Sequence, residues 1–284
     1  MAKVEQLEYE CGTNREGIDP SPPLGWTRAS FDERVVLYGN WNSPPCAKIR
    51  YHLAHSGVRY EVRTAAEFAK GKDPKRTYTK TPSLLVGDRQ VNDSFVIAKF
   101  LVPALYAEPF DEAWEAKITY GLQLAIEVEA FEDARNWPAF LGMYGIRFPW
   151  LVASAAPCFV PLRKYAKSIA RRRAKKDARY GPLRSARAYC DEFRAAIGTN
   201  AFFGGDEPSA VDVSFYGTIV PWSGIVPYAD ALVEASDLAA WWKRMRSAMP
   251  PAVVGDKRPL RAKSRRRSRG PDGGGLQTSK SPGS

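Results

Sequence analysis

The stretch Val35-Val36-Leu37-Tyr38-Gly39-Asn40-Trp41-Asn42-Ser43-Pro44-Pro45-Cys46 decides the fold of this 284-residue chain. Its first four residues are β-branched, apolar or aromatic and stop at Gly39, which predicts a short buried strand. Asn40 to Ser43 form a polar loop, and two prolines then open a helix without being able to continue a strand. After Cys46 the apolar residues Ile49 and Leu53, with Ala47 and Ala54, recur at helical spacing. A strand–loop–helix corner leaves free N–H groups and the positive end of the helix dipole at one point, where an anion is stabilised. Ser43 and Cys46 are the two side chains there able to handle a thiolate.

Working outward, Val58–Arg63 alternates like a half-buried strand. Thr81-Pro82 leads into Ser83-Leu84-Leu85-Val86, with a turn at Gly87-Asp88 and a short return strand. Val91 to Leu101 opens a helix with Asp93 or Ser94 available as N-cap. The order β-α-β-α-β-β-α, with weak helical character over 64–76, describes a small mixed sheet covered by helices. Beyond residue 110 the strand signals end. Residues 111–136 predict one long helix, and 182–197 and 230–248 are also helical in pattern. Ser209 and Asp212, three apart before an apolar run, form a capping-box pattern.

Composition limits the alternatives. Apolar residues make up 44% and aromatics 12% of the chain, which suffices for sizeable cores. The four cysteines are widely spaced, so a disulfide framework is not expected and a reducing compartment is. Residues 1–30 lack the apolar core of a signal peptide. The net charge is +11, yet 163–179 alone carries +8 and 251–284 another +7, so the remaining body is acidic. Nucleic acid is therefore not the expected partner, although Arg261–Arg269 resembles a nuclear-localisation or RNA-contacting run. His52 and His55 share a helix without a Cys or carboxylate at ligand spacing, and no metal site is expected. Residues 138–162 are the most apolar stretch, but four prolines and Arg147 interrupt it. It reads either as a core or dimer-facing helix pair or, with Arg163–Arg179, as a surface resting on anionic membrane.

Five segments carry a resemblance: Ser43–Arg50, Thr81–Val86, Val91–Ile97, Phe202–Gly217 and, more weakly, Trp241–Met245. In order and spacing they resemble the glutathione transferase superfamily, and within it the type 2 membrane-associated prostaglandin E synthase group. The resemblance spans about 33–248. It implies a thioredoxin-like glutathione-binding unit at 33–105 and an all-helical unit at 106–250, while composition predicts a flexible extension at 1–32 and a basic, disordered tail at 251–284. It also implies a cis peptide bond before Pro82, with Thr81 offering its backbone to the cysteinyl part of glutathione. Asp93 and Ser94 would hold the γ-glutamyl end, Asp93 facing the ammonium. Ser209 and Asp212 would be structural caps.

The chain departs from the synthase pattern at two places. Ser43 replaces the first cysteine of C-x-x-C, which excludes dithiol exchange through this motif, and Asn40 replaces a tyrosine. A serine hydroxyl can instead donate to a bound thiolate, a bond of about 1.5–3 kcal/mol or about one to two units of thiol pKa. Ser43 is thus one candidate catalytic group and a helix cap on the plainer reading. Cys46 is the reserve nucleophile or a buried small hydrophobe. The resemblance further implies glutathione as cosubstrate, an apolar electrophile, a homodimer, a cytoplasmic location with peripheral contact to an intracellular membrane through 138–179, and haem as a secondary ligand of the synthase group. The expected activity is glutathione-dependent transfer, or isomerisation of the synthase type. The opposing readings are a non-catalytic binding module and a membrane- or RNA-docked adaptor.

Overall fold

The computed structural model describes residues 5–7, 25–64, 81–87, 89–132, 136, 164, 168, 181–223 and 227–249. Nearly all of the weak helix at 64–76 and of 138–179, and the tail at 251–284, lie outside them.

Five strands make one mixed sheet in the order β1-β5-β4-β2-β3. Strand β2 (Val35–Tyr38) runs parallel to β3 (Glu61–Arg63) and antiparallel to β4 (Ser83–Val86). Strand β5 (Arg89–Asn92) pairs antiparallel with β4 through the Gly87 turn, where φ is +59°. This is the mixed sheet expected of a thioredoxin-like unit. Strand β1 (Glu5–Leu7) adds a parallel edge to β5, in a region the sequence reading assigned to an extension. Arg28–Asp32 forms a 3-10 turn whose Phe31 is buried, and Trp26 packs edge-on against Phe31 and Phe100. Packing thus begins before residue 33.

Helix α1 (Pro44–His55) follows the opening strand, and α2 (Ser94–Leu105) follows β5. Ile49 and Leu53 of α1 join Leu37, Leu84, Ile97 and Leu101 in one apolar core. The opposite face of α1 enters a second core, where Ala47 and Tyr51 meet the aromatic residues Phe193, Phe215, Tyr216 and Trp241. Phe193 stacks on Phe215 at 3.8 Å between centroids. Helix α1 is therefore shared by both cores, which explains why its apolar residues are not confined to one stripe.

Among the described residues the remaining helices are α3 (Glu112–Ala116), α4 (Gln123–Glu132), α5 (Ala186–Ile197), α6 (Ala210–Ile219), α7 (Pro227–Ala235) and α8 (Ala239–Ala248). An α/β unit followed by an all-helical one is the architecture expected. Two helices differ from expectation. The single helix over 111–136 is interrupted by a π-helical turn at Lys117–Leu122. At its centre Gly121 meets the Tyr189 ring so closely that a Cβ would lie 2.5 Å from it. The pattern at 230–248 is broken into α7 and α8 at Asp237, whose φ is +53°. Leu238 N–H donates back to Val233 O (3.1 Å), closing a Schellman-type end.

Candidate functional site

Ser43 is the N-cap of α1, half-buried and with extended backbone (φ −87°, ψ 118°); its side chain makes no capping bond to the helix. Ala47 N–H donates to its carbonyl at 2.8 Å, which starts the helix. Pro44 and Pro45 lack N–H groups, so they place no demand on a cap. The Ser43 hydroxyl is thereby left for other partners, one of which is the Cys46 side chain. Cys46 is 2% exposed. Its sulfur also meets the Thr81 side chain and the Asn40 backbone, and burial pushes its thiol above the ordinary range despite these bonds and nearby Arg50.

Thr81 precedes a cis bond to Pro82. Asp93 N–H donates to Pro82 O at 3.2 Å, which brings the start of α2 against the proline corner. Asp93 is the N-cap of α2: its Oδ1 accepts from Phe95 N–H at 2.8 Å. Its φ is +75°, a left-handed conformation for a residue with a side chain, and it is 5% exposed. Ser94 follows, equally buried, as the first helical residue. Ser43, Cys46, Thr81, Pro82, Asp93 and Ser94, scattered over some fifty positions of the sequence, are thus linked contact to contact around one corner.

Three further groups at this corner escaped the sequence reading. Trp41, in the loop before Ser43, is exposed. The Arg50 guanidinium lies 4.1 Å from its ring centroid and donates to its carbonyl at 3.4 Å. An Arg–Trp pairing nine residues apart is not visible without the α1 turn that returns Arg50 beneath the loop. Tyr120, on the π-helical turn, packs against Phe95 at 5.4 Å and brings the second unit to the start of α2.

Ser209 and Asp212 do not join this corner. Ser209 caps α6 and accepts from Asp212 N–H at 3.2 Å, while its hydroxyl and N–H donate to Asp212 Oδ2. Asp212 also accepts from Phe203 N–H and from Trp241 Nε1 at 2.8 Å. The pair organises the helical core.

Further along α1 lies a buried polar chain between the two units. Lys48, fully buried, donates to Glu115 Oε1 and, at 2.6 Å, to Thr119 Oγ1. Ser214 Oγ donates to Glu115 Oε2 at 2.7 Å. His52 Nε2 lies 2.8 Å from that hydroxyl, and its Nδ1 lies 2.8 Å from Tyr106 Oη. Because Ser214 spends its proton on Glu115, it must accept from His52, so Nε2 carries the ring hydrogen and Nδ1 accepts from Tyr106. Burial, with Lys48 and His55 nearby, pushes the His52 pKa down to about 3. Both nitrogens of His52 are occupied, and among the described residues no cluster suited to a metal ion occurs. Among them, too, no helix is long and apolar enough to cross a membrane.

No protein-family model matches this chain, and no curated protein matches it. Solved structures similar to it include a glutathione S-transferase from Pseudomonas fluorescens, at 17% identity and a TM-score of 0.44, covering 78% of this chain and 99% of that one. A glutathione transferase from Populus trichocarpa is similar at 15% identity and a TM-score of 0.43, covering 77% and 95%. A delta-class glutathione transferase from Nilaparvata lugens gives 16% and 0.43, covering 76% and 90%. Such scores assign no function, which the chain's own residues must supply.

Proposed function

We propose that this chain binds glutathione at the corner of α1, β4 and α2 and transfers it to an apolar electrophile. The convergence of Ser43, Thr81-Pro82 and Asp93–Ser94, 38 to 51 positions apart, carries this reading. In it Thr81 offers backbone N–H and C=O to the cysteinyl residue, an extended peptide adding to the end of a strand. The Asp93 carboxylate faces the γ-glutamyl ammonium, and the start of α2 with Ser94 faces its carboxylate. Ser43 donates its hydroxyl to the thiolate. The N-terminal end of α1 and the buried Arg50 guanidinium add positive potential there. Bringing the thiolate to a bound electrophile in this orientation is the catalytic contribution expected of the fold's residues.

Transfer is favoured over synthase-type isomerisation because the latter needs a reactive protein thiol. Cys46 is buried, with its thiol pushed up rather than down. Haem draws no support from His52, which lies about 13 Å along α1 from Ser43. The homodimer and the membrane contact through 138–179 remain proposals, read out by sedimentation of the protein alone and with anionic vesicles.

The test is conjugation of glutathione to an aryl halide. Ser43→Ala leaves glutathione affinity within about threefold and lowers the rate at neutral pH by about tenfold or more, because the thiol loses about 1.5–3 kcal/mol of stabilisation as its anion. A wild type that binds glutathione without turnover would favour the binding-module reading instead.

A further inference from the structure

A recess of about 410 Å³ opens between the end of α2, residues 108–111, α3 and the first turns of α6. It is separate from the glutathione corner. None of Ser43, Thr81, Pro82, Asp93 and Ser94 lines it, and its wall residue Val102 lies about 12 Å along α2 from Ser94. Val102, Phe110, Phe203 and Val211 give it an apolar wall. Small-molecule sites have this character, with volumes of about 300–1,000 Å³ and mostly apolar linings.

The charged part of the lining has one sign. Glu108, Asp111, Glu112 and Glu115 all line the recess, and among the described residues that do so none is basic. Glu115 is already satisfied by Lys48, Thr119 and Ser214. The other three are not neutralised. Glu108 accepts from Ala210 N–H, and Asp111 Oδ1 accepts from Trp114 N–H at 3.0 Å. Among the described residues no cation pairs with either of them or with the exposed Glu112. A carboxylate has about four acceptor positions, so most of this capacity is unspent. Carboxylates around an apolar concavity focus a negative potential into it.

The spread of the carboxylates decides what kind of cation fits. Among the described residues no three acidic groups converge as a metal ion requires. A bare ion would also leave the apolar wall uncovered, whereas a cation with an apolar body meets both parts of the lining. We propose that this recess binds an organic cation, a primary or secondary ammonium carried on an aromatic or branched apolar body. Its body lies against Val102, Phe110, Phe203 and Val211. Its ammonium lies at Glu108, Asp111 and Glu112 rather than at Glu115, where the Lys48 ammonium already sits. The inference stands apart from the glutathione reading.

The experiment titrates wild type by calorimetry with (naphthylmethyl)ammonium, the neutral naphthalenemethanol and the anionic naphthoate, at about 0.02 M and about 0.5 M salt. At low salt one equivalent of the ammonium binds at least about tenfold more tightly than the alcohol, naphthoate gives no binding, and high salt narrows the gap. Glu112→Lys weakens the ammonium by about tenfold or more and leaves the alcohol within about twofold. Glu234→Lys, the same charge change at an exposed position of α7, leaves both within about twofold. No binding of the ammonium, equal affinity for the three probes, or equal losses in the two variants would overturn the inference. Displacement of the ammonium by glutathione would place it at the corner and overturn the inference as well. A wild type that keeps the ammonium selectivity but binds no glutathione supports this inference and defeats the function proposed above.

Discussion

Lowering the pH from 7 to 5 should destabilise this protein through one histidine. His52 is fully enclosed between Tyr106 and Ser214, with both nitrogens in hydrogen bonds, and its folded-state pKa is pushed down to about 3. In the unfolded chain the same imidazole titrates near 6.5. Between about pH 6.5 and 3 the unfolded state therefore binds one more proton than the folded state, and stability falls as pH falls. The slope is about 1.4 kcal/mol per pH unit once the unfolded histidine is charged, or about 2 kcal/mol between pH 7 and 5. Urea unfolding at the two pH values, on wild type and on His52→Gln, isolates this term. The amide can still donate to Ser214 and accept from Tyr106 but does not titrate. His55, also held low by burial, contributes equally to both proteins and cancels in the difference. Wild type should lose about 2 kcal/mol more than His52→Gln. Equal losses would refute the buried, neutral His52 and with it the direction assigned to the chain of bonds ending at Glu115.

The same network gives a second prediction: Lys48→Met strands the Glu115 carboxylate in the interior and costs about 3–5 kcal/mol, measured by denaturant unfolding. Adding Glu115→Gln should return part of that cost, with a coupling of about 0.5–3 kcal/mol, and strict additivity would contradict the pairing. At the site, Gly39→Ala forces a methyl against the Cys46 sulfur and should cost about 1–3 kcal/mol, visible as a lower Tm. An unchanged Tm would mean that the two residues do not approach as described.

Much of the sheet was legible because punctuation and period agree there. Gly39, the Pro44-Pro45 pair, Pro82 and Gly87 mark ends that their backbone chemistry enforces, and the runs between them alternate or repeat as strands and helices do. Ser209 and Asp212 were legible for the same reason, since a capping box is local. The π-helical turn was not, because Gly121 and the β-branched Ile118 and Thr119 weaken a helix without marking a π turn. It coincides with the seat of Tyr189 against Gly121 and with Thr119 bonding both Lys48 and Glu115, contacts that exist only once distant segments meet. The break at Asp237 carries neither glycine nor proline. Lys48 carried no signal of its role: only the Glu115 carboxylate from a later helix makes its burial tenable. At the site the residue types were readable, but the enclosure of Cys46 and the return of Arg50 under Trp41 depend on the fold.

The most direct measurement is calorimetric titration of glutathione into wild type and Asp93→Ala, the residue that would face the ligand's ammonium from the cap of α2. Wild type should bind one equivalent. Asp93→Ala should bind about 30- to 150-fold more weakly, matching about 2–3 kcal/mol for one charge-assisted pair. No heat of binding in wild type, or indistinguishable affinities in the two proteins, would contradict the placement of the tripeptide.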